Sequence, residues 1–163
     1  VGSEMCIRDR DYGDIAPVWG IVQKDGDIYR FVPSVAPLKE KYRISDRYGY
    51  RTHPISGERQ FHAGLDMAAV YAATVHAAAS GTVTFAGETP GYGKTVVVTH
   101  RFGFQTRYAH LTLIYTRKGA KVEKGDVIGF VGSTGISTGN HLHYEVIKNQ
   151  KRINPLNFIY GTK

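Results

Sequence analysis

Short runs of β-branched and aromatic residues dominate the middle of the chain and restrict the folds that it can adopt. These runs lie at residues 74–79, 82–86, 94–99, 104–110 and 127–131. Glycines and other turn residues separate them about every ten residues, and no long helical period interrupts the series. The sequence therefore predicts a mainly β domain with little helix, built as an antiparallel sheet or sandwich.

The part of the chain before this series has a weaker pattern. Residues 18–22 and 28–32 each have strand character, and Gly26 lies between them as a turn residue. We therefore predict a strand hairpin or an extended arm over residues 11–40, followed by a main domain over residues 41–160. The sequence contains no internal repeat that would indicate a second domain.

Three short segments depart from the strand pattern. Residues 111–115 and 155–159 are predicted to form short helical turns. Residues 1–10 resemble a translated sequencing adapter, so we expect them to be an artefact that replaces the true N-terminus. In that case the lack of a signal peptide gives no information on the location of the protein.

The composition is that of a soluble folded domain. The 163 residues are 42% hydrophobic and 21% charged, and no apolar run approaches the roughly 18 residues that a membrane helix needs. The only cysteine, Cys6, lies in the adapter-like segment, so we expect neither a disulfide nor a thiol nucleophile in the main domain. The formal charge of +7 favours polyanionic surroundings, but no nucleic-acid-binding motif accompanies it, and no nucleic acid is expected as a partner.

A pair of histidines, His141 and His143, begins a run with strand character after a glycine-rich turn. Because the side chains of a strand alternate between its faces, both histidines and Glu145 share one face. Two imidazoles on one face can converge on a metal ion, which needs further ligands. His62 and Asp66 offer an imidazole and a carboxylate four residues apart, a spacing at which both can reach the same ion.

Four motifs occur in an order that closely resembles the lysostaphin-type (LytM-like) zinc endopeptidases, which cut peptidoglycan cross-bridges. The motifs are His-x-x-x-Asp at residues 62–66, Tyr-Ala-His-Leu at 108–111, Gly-Ser-Thr-Gly at 132–135 and Ser-Thr-Gly-x-His-Leu-His at 137–143. The resemblance extends over residues 42–159 and implies a β fold of the duplicated-hybrid-motif type with a substrate groove over the sheet. It also implies peptidoglycan peptide as the substrate, a bacterial origin, and action in the periplasm, in the cell envelope or outside the cell.

The resemblance implies a role for each of five residues. His62, Asp66 and His143 would bind one Zn²⁺ ion, and three protein ligands leave a fourth position for water in a catalytic zinc site. We interpret His141 as the general base, because the pKa of an unperturbed histidine lies near neutrality. His110 would orient the water or stabilise the oxyanion, and the roles of His110 and His141 could be exchanged.

Other aromatic and histidine residues have less specific patterns. The hydroxyl of Tyr48 or of Tyr108 could lie near the oxyanion of the reaction. His53, His76 and His100 are interpreted as structural or surface histidines, because a lone histidine usually has no ligand role.

A run of basic residues precedes the first motif. Its members are Lys39, Lys41, Arg43, Arg47 and Arg51. Such a run is most often a solvated face. The alternative interpretation is a patch that contacts an anionic wall polymer.

Two other functions are compatible with parts of the sequence. A non-catalytic relative that binds wall material or activates an amidase would usually lack ligands, whereas this chain keeps all five positions. Residues 122–129 resemble a turn of biotinyl or lipoyl carrier domains, but neither Met5 nor Met67 is followed by the lysine that such a turn needs. We therefore predict metal-dependent amide hydrolysis.

Overall fold

A ten-stranded antiparallel sheet forms most of the structure, in agreement with the predicted fold class. The computed structural model describes residues 26–52 and 55–159. The predictions for residues 1–10, for a strand at 18–22 and for His53 lie outside the described residues. Within the described residues, no helix is long and apolar enough to cross a membrane.

Short strands follow one another along the described chain, with helical structure only near its beginning and end. The elements are α1 (Gly26–Phe31), β1 (Arg43–Asp46), β2 (Gly49–Thr52), β3 (Arg59–His62), β4 (Leu65–Ala68), β5 (Thr74–His76), β6 (Gly81–Thr89), β7 (Gly93–Thr99), β8 (Phe104–Ile114), β9 (Lys121–Val122), β10 (Val127–Val131), β11 (His141–Lys148), β12 (Lys151–Ile153) and a 3-10 helix (Pro155–Asn157). Each of the five strand runs predicted between residues 74 and 131 overlaps one of these strands, so the strand pattern of this central part is confirmed.

The strand order places the histidine-bearing segments beside one another. The main path of the sheet is β1–β4–β11–β8–β7–β6–β9, while β10 joins it through β8, β5 through β10, and β12 through β11. The strand with His141 and His143, β11, therefore lies between β4 with Asp66 and β8 with His110. Asp66 stands directly opposite His143 in the register of β4 and β11. A separate two-stranded sheet of β2 and β3 carries His62 at its end.

Buried side chains at alternate positions hold this sheet in place. Phe104, Thr106 and Tyr108 of β8 are buried at every second position, as the pleat of a strand requires. Leu142 and Tyr144 of β11 belong to the same buried cluster. Full burial of one large apolar side chain contributes about 1.5–3 kcal/mol to stability, so the core fixes the strands that carry the histidines.

The segment before the sheet folds as a helix, so the predicted strand at residues 28–32 is wrong. The helix α1 covers Gly26–Phe31, and the amide of Val32 donates to the carbonyl of Ile28 over 3.0 Å. Ile28 and Val32 both pack on the core, as residues four positions apart on one helix face can do. The apolar residues that suggest a strand therefore pack on the core at the spacing of a helix.

The two predicted helical turns have different outcomes. Residues as far as Ile114 belong to β8 and pair with β10, so the helical turn predicted at residues 111–115 is wrong. A 3-10 helix does form at Pro155–Asn157, and the side chain of Asn154 caps it by accepting from the amide of Leu156. The second predicted turn is therefore confirmed.

Candidate metal centre and active site

The side chains of His62, Asp66 and His143 converge on one point, although they come from three strands. Nε2 of His62 lies 3.3 Å from Oδ2 of Asp66, and Nδ1 of His143 lies 2.7 Å from Oδ1 of Asp66. The ligand atoms of all three residues lie within 4.8 Å of one another. Zinc bonds of about 2.0–2.2 Å in a tetrahedral site hold ligand atoms roughly 3.4 Å apart. The donor set and its spacing therefore fit a zinc ion.

A glycine allows these side chains to come together. Gly64 lies between His62 and Asp66, and a Cβ atom at position 64 would lie 2.6 Å from the carbonyl oxygen of Tyr144 and 2.9 Å from Cε1 of His143. Both distances are shorter than van der Waals contact. Only glycine therefore fits between the two candidate ligands at this distance from β11.

Neighbouring carboxylates control the charge of the candidate site. Burial lowers the pKa of His143, but hydrogen bonds with Asp66 and Glu145 outweigh burial and raise the pKa to about 9. Burial raises the pKa of the Asp66 carboxyl, but hydrogen bonds from His143 and His62 outweigh burial and hold it well below its usual range. The site thus favours positive charge beside Asp66. A divalent cation supplies that charge when it replaces the proton.

Backbone carbonyls orient three of the four histidines in the cluster. The Nδ1 atoms of His62, His110 and His141 lie 2.9, 2.7 and 3.0 Å from the carbonyl oxygens of Arg47, Thr134 and Gly139. Because a carbonyl oxygen only accepts, each neutral ring carries its proton on Nδ1 and leaves a lone pair on Nε2. The lone pair of His62 is then available to a metal ion, and those of His110 and His141 to other groups.

A bulge in β8 turns His110 toward the other histidines. Strand alternation would place His110 on the buried face with Tyr108, two residues earlier. Between Tyr108 and Leu111, however, β8 has one residue more than the opposite stretch of β7, and His110 takes up a left-handed backbone with φ of 63°. Its ring centroid lies 4.7 Å from that of His141. The irregular backbone therefore completes the cluster.

The two tyrosines predicted to lie near the oxyanion have their hydroxyl groups engaged elsewhere. Tyr108 precedes the bulge and is fully buried, with its hydroxyl 2.9 Å from the amide of Ala78 and 2.7 Å from Oγ1 of Thr106. The hydroxyl of Tyr48 donates to the carbonyl of Arg152 over 2.9 Å. Neither tyrosine lines the cavity that the histidines line. These contacts do not support the two predictions, which stay untested.

Two residues without a predicted role border the cluster. Tyr92 lies in the same cavity, with its ring centroid 5.5 Å from that of His143, and its hydroxyl donates to Oε2 of Glu145 over 2.9 Å. Glu145 is fully buried, and its Oε2 lies 2.8 Å from Nε2 of His143. Strand alternation already places Glu145 on the face of His143. For Tyr92 the only signal in the sequence is the pair of flanking glycines, Gly91 and Gly93, which indicate a turn.

An open groove surrounds the cluster. The cavity has a volume of about 490 Å³ and is lined by His62, Asp66, His110, His141 and His143, and also by Phe61, Ala63, Gly91, Tyr92, Ile136, Ser137 and Thr138. Phe61 and Ile136 are 48% and 83% exposed. A peptide could thus meet apolar walls while one of its amides lies at the polar cluster.

The remaining described histidines are held by the fold. Nδ1 of His76 lies 2.8 Å from the carbonyl oxygen of Gly125. The ring nitrogens of His100 lie 2.8 Å from the carbonyl oxygen of Ser80 and 2.8 Å from Oγ1 of Thr106. Burial lowers the pKa of His100 to about 4. Both rings are buried outside the cluster, in agreement with a structural interpretation.

The sequence is similar to that of known peptidases. A family model described as Peptidase family M23 matches residues 60–155. The chain is 48% identical over 120 residues to the DD-carboxypeptidase/endopeptidase Mpg of Neisseria meningitidis, covering 74% of this chain and 28% of that protein. It is 36% identical over 134 residues to the peptidoglycan DD-endopeptidase ShyA of Vibrio cholerae, covering 82% of this chain and 31% of that protein. The chain spans less than a third of the length of either relative.

Solved structures share the fold. The crystal structure of a zinc-containing peptidase from Vibrio cholerae has a TM-score of 0.70 and 32% identity, covering 78% of this chain and 39% of that chain. The catalytic domain of lysostaphin from Staphylococcus simulans has a TM-score of 0.65 and 30% identity, covering 72% of this chain and 91% of that chain. The described sheet therefore corresponds to nearly the whole of the lysostaphin catalytic domain.

Proposed function

The chain belongs to Peptidase family M23, and from this premise we propose that it is a zinc-dependent endopeptidase that hydrolyses amide bonds in peptidoglycan cross-links. The observation that carries the proposal is the convergence of His62, Asp66 and His143 beside His110 and His141. The names of two bacterial relatives include endopeptidase, which supports the reaction, and the name of ShyA also includes peptidoglycan, which supports the substrate class. The site of action would be the periplasm, the cell envelope or the cell exterior, where peptidoglycan is found.

Three residues would bind the metal ion, and two further histidines would move protons. His62 would bind the zinc ion through Nε2, Asp66 through its carboxylate and His143 through Nδ1. When bound, zinc supplies Lewis-acid activation of water and of the scissile carbonyl. The movement of protons then falls to the neighbouring imidazoles, His110 and His141, because their Nε2 atoms carry the lone pairs.

His141 is the proposed general base. Its Nε2 would accept one proton from the attacking water while the water oxygen bonds to the carbonyl carbon. The same proton would pass to the departing amine as the C–N bond breaks, which returns His141 to its neutral form. His110 is less suited to this role, because burial and the nearby His141 lower its pKa and disfavour the protonated ring.

His110 would orient the water molecule. Stabilisation of an oxyanion would need a proton on Nε2 of His110, but the carbonyl of Thr134 holds the proton of the neutral ring on Nδ1. Nε2 can instead accept a hydrogen bond from the water. We therefore favour orientation of the water over stabilisation of the oxyanion.

The basic residues before the first motif would contact an anionic wall polymer. Lys39, Lys41, Arg43, Arg47 and Arg51 are all exposed. The formal charge of +7 would further attract the protein to such a polymer. Binding to sacculi that carry the polymer should weaken as salt rises, whereas equal binding to sacculi stripped of it would contradict this contact.

The proposed activity can be tested with purified protein and cross-linked sacculi. Mass spectrometry should identify new amine and carboxyl termini within the cross-links, and a zinc chelator should abolish them. The His62→Ala variant should bind zinc weakly and produce no new termini.

The control is the Lys118→Ala variant, which changes an exposed residue outside the groove. It should cleave sacculi as the wild type does. If zinc-loaded wild-type protein binds sacculi without producing new termini, the endopeptidase proposal is wrong and a non-catalytic wall-binding function is supported.

A further inference from the structure

His143 is held differently from the other histidines of the cluster. His62, His110 and His141 each face a backbone carbonyl through Nδ1. His143 instead has Nδ1 2.7 Å from Oδ1 of Asp66 and Nε2 2.8 Å from Oε2 of Glu145. Its ring thus lies between two carboxylates, only one of which belongs to the proposed ligand set.

We propose that Glu145 is a positioning residue for the zinc site. Its carboxylate would accept a hydrogen bond from Nε2–H of His143 and thereby fix the ring in the tautomer whose Nδ1 lone pair is free to hold the ion. This inference rests on the proposed function of the site, because it assumes that His143 is a ligand. It adds a residue that touches neither metal nor substrate.

The chemistry of imidazole supports this role. A neutral ring carries one proton, and the nitrogen that binds a metal must carry none. Nδ1 of His143 faces the candidate site, so the proton of the neutral ring must lie on Nε2. There the carboxylate of Glu145 accepts a hydrogen bond from it. A carboxylate partner also raises the basicity of a metal-bound histidine more than a neutral carbonyl does.

The surroundings of Glu145 hold its carboxylate in place beside His143. The hydroxyl of Tyr92 donates to Oε2 over 2.9 Å, so that oxygen is shared by Tyr92 and His143. On the other oxygen, Nε of Arg152 donates to Oε1 over 3.0 Å, and Nε of Arg107 lies 3.5 Å from it.

The burial of Glu145 distinguishes it from an ordinary surface ion pair. Its side chain is 0% exposed, and a buried carboxylate needs several partners to offset the loss of water. The partners come from three segments, with Tyr92 before β7, Arg107 in β8 and Arg152 in β12. These ties alone would make Glu145 a structural residue. The bond to His143 is the contact that a metal-binding measurement can isolate.

The first test uses the wild-type protein. Nitrogen-15 NMR of histidine-labelled, zinc-loaded protein should show a proton on Nε2 of His143 and the shift of a metal-bound nitrogen at Nδ1. A proton on Nδ1, with the metal signature at Nε2, would overturn the proposal. Because no substitution is needed, this test does not depend on the folding of a variant.

The second test compares zinc affinities by competition with a chelator. The Glu145→Gln variant should bind zinc about 10–100-fold more weakly than the wild type. Glu88→Gln, which makes the same change at an exposed position, should bind zinc as the wild type does. Arg152→Gln removes a structural tie to Glu145 but keeps the bond to His143, so its affinity should fall less than that of Glu145→Gln.

Two outcomes of the second test would overturn the proposal. One is an unchanged affinity of folded Glu145→Gln, and the other is an equal loss in Arg152→Gln. Cleavage of sacculi is measured separately. A wild-type protein that shows the expected tautomer and binds zinc tightly but cuts no sacculi would refute the proposed activity and leave the role of Glu145 intact.

Discussion

The orientation and the tautomer of each histidine in the cluster depend on the group that is hydrogen-bonded to one of its ring nitrogens. His62, His110 and His141 donate through Nδ1 to main-chain carbonyls, which a side-chain substitution elsewhere does not remove. His143 relies on the side chain of Glu145. The main chain therefore orients the first three rings. The fourth ring is oriented by a side chain, which a substitution can remove.

The proposed separation of metal ligands from proton-transfer residues gives a direct prediction. His141→Ala should keep its zinc and lose about 100–10,000-fold in turnover, because general base catalysis typically contributes that much. His110→Ala should keep its zinc and lose a smaller factor. Metal content by mass spectrometry and cleavage of sacculi measure the two effects.

The contrasting variant is His62→Ala, which should lose zinc and activity together. Loss of zinc from His141→Ala would show that His141 is a ligand and would contradict the assignment. A larger loss of turnover in His110→Ala than in His141→Ala would exchange their roles.

A second prediction concerns His100 and the pH dependence of stability. Burial lowers its pKa to about 4 in the folded protein, whereas the unfolded value is about 6.5. Between these values the unfolded chain binds more protons, so the free energy of unfolding rises with pH. The contribution is complete above about pH 6.5 and falls by about 3 kcal/mol as the pH drops to about 4.

Urea unfolding of zinc-free protein at several pH values measures this effect. The His100→Gln variant should show a weaker dependence on pH between about 4 and 6.5 than the wild type. The difference between the two proteins isolates His100 from carboxylates that also titrate in acid. Equal slopes would mean that His100 is not held in its neutral form by the fold.

At the scale of whole elements, periodicity predicts the sheet because each strand buries every second side chain. The same periodicity predicts that His141, His143 and Glu145 share a face, and contacts of His143 and Glu145 agree with that prediction. Alternation of side chains predicts the wrong face for His110. The bulge in β8 turns this residue, and the bulge depends on pairing with β7, which local sequence does not determine. Alternation fails at residues 28–32 because none of the described strands pairs with them, and Ile28 and Val32 pack on the core from one helix face instead.

The candidate site was only partly predictable. The resemblance places His62, Asp66 and His143 in one ligand set, and their convergence agrees with it, while their binding of zinc stays a prediction. Spacing alone could not show that β4 and β11 are neighbours. The hydroxyl partners of Tyr48 and Tyr108 depend on tertiary contacts, which the sequence alone does not determine.

The turn between β3 and β4 lies close to β11, so an added side chain in this turn should disturb the strand. Gly64→Ala would place a methyl group against the main chain of Tyr144 and the ring of His143. We expect a loss of stability of about 1–3 kcal/mol together with weaker zinc binding, because both His143 and the turn must move. Thermal unfolding and chelator competition measure these changes.

The matched control for this prediction is Gly87→Ala. Its added methyl group would meet only side-chain carbons of Phe85, at 3.5 Å or more. This variant should bind zinc as the wild type does. Unchanged zinc binding in Gly64→Ala would show that the turn can move without disturbing the proposed ligands.

For the whole molecule, the proposed ligands tie together segments that are distant in the sequence. His62 ends β3, Asp66 lies in β4, and His143 lies in β11, so an unfolded chain cannot present them as one site. Zinc should therefore stabilise the folded protein, by about 4 kcal/mol at a concentration 1,000-fold above its Kd.

Calorimetry with and without a chelator tests this coupling. For a domain of this size, that gain corresponds to a rise in Tm of roughly 10 °C. His62→Ala should show a much smaller response. An equal rise in Tm for wild type and His62→Ala would show that zinc stabilises the protein at another site.

The left-handed backbone of His110 implies a conflict between durability and turnover. A residue with a side chain loses about 1–2 kcal/mol in that conformation, whereas glycine adopts it freely. His110→Gly should therefore be more resistant to urea than His110→Ala, although both lack the imidazole. Lower resistance of the glycine variant would mean that the conformation is not strained. At this position the least strained backbone and the proposed water-orienting imidazole exclude each other, so selection of this chain for heat resistance alone would tend to lower its proposed turnover.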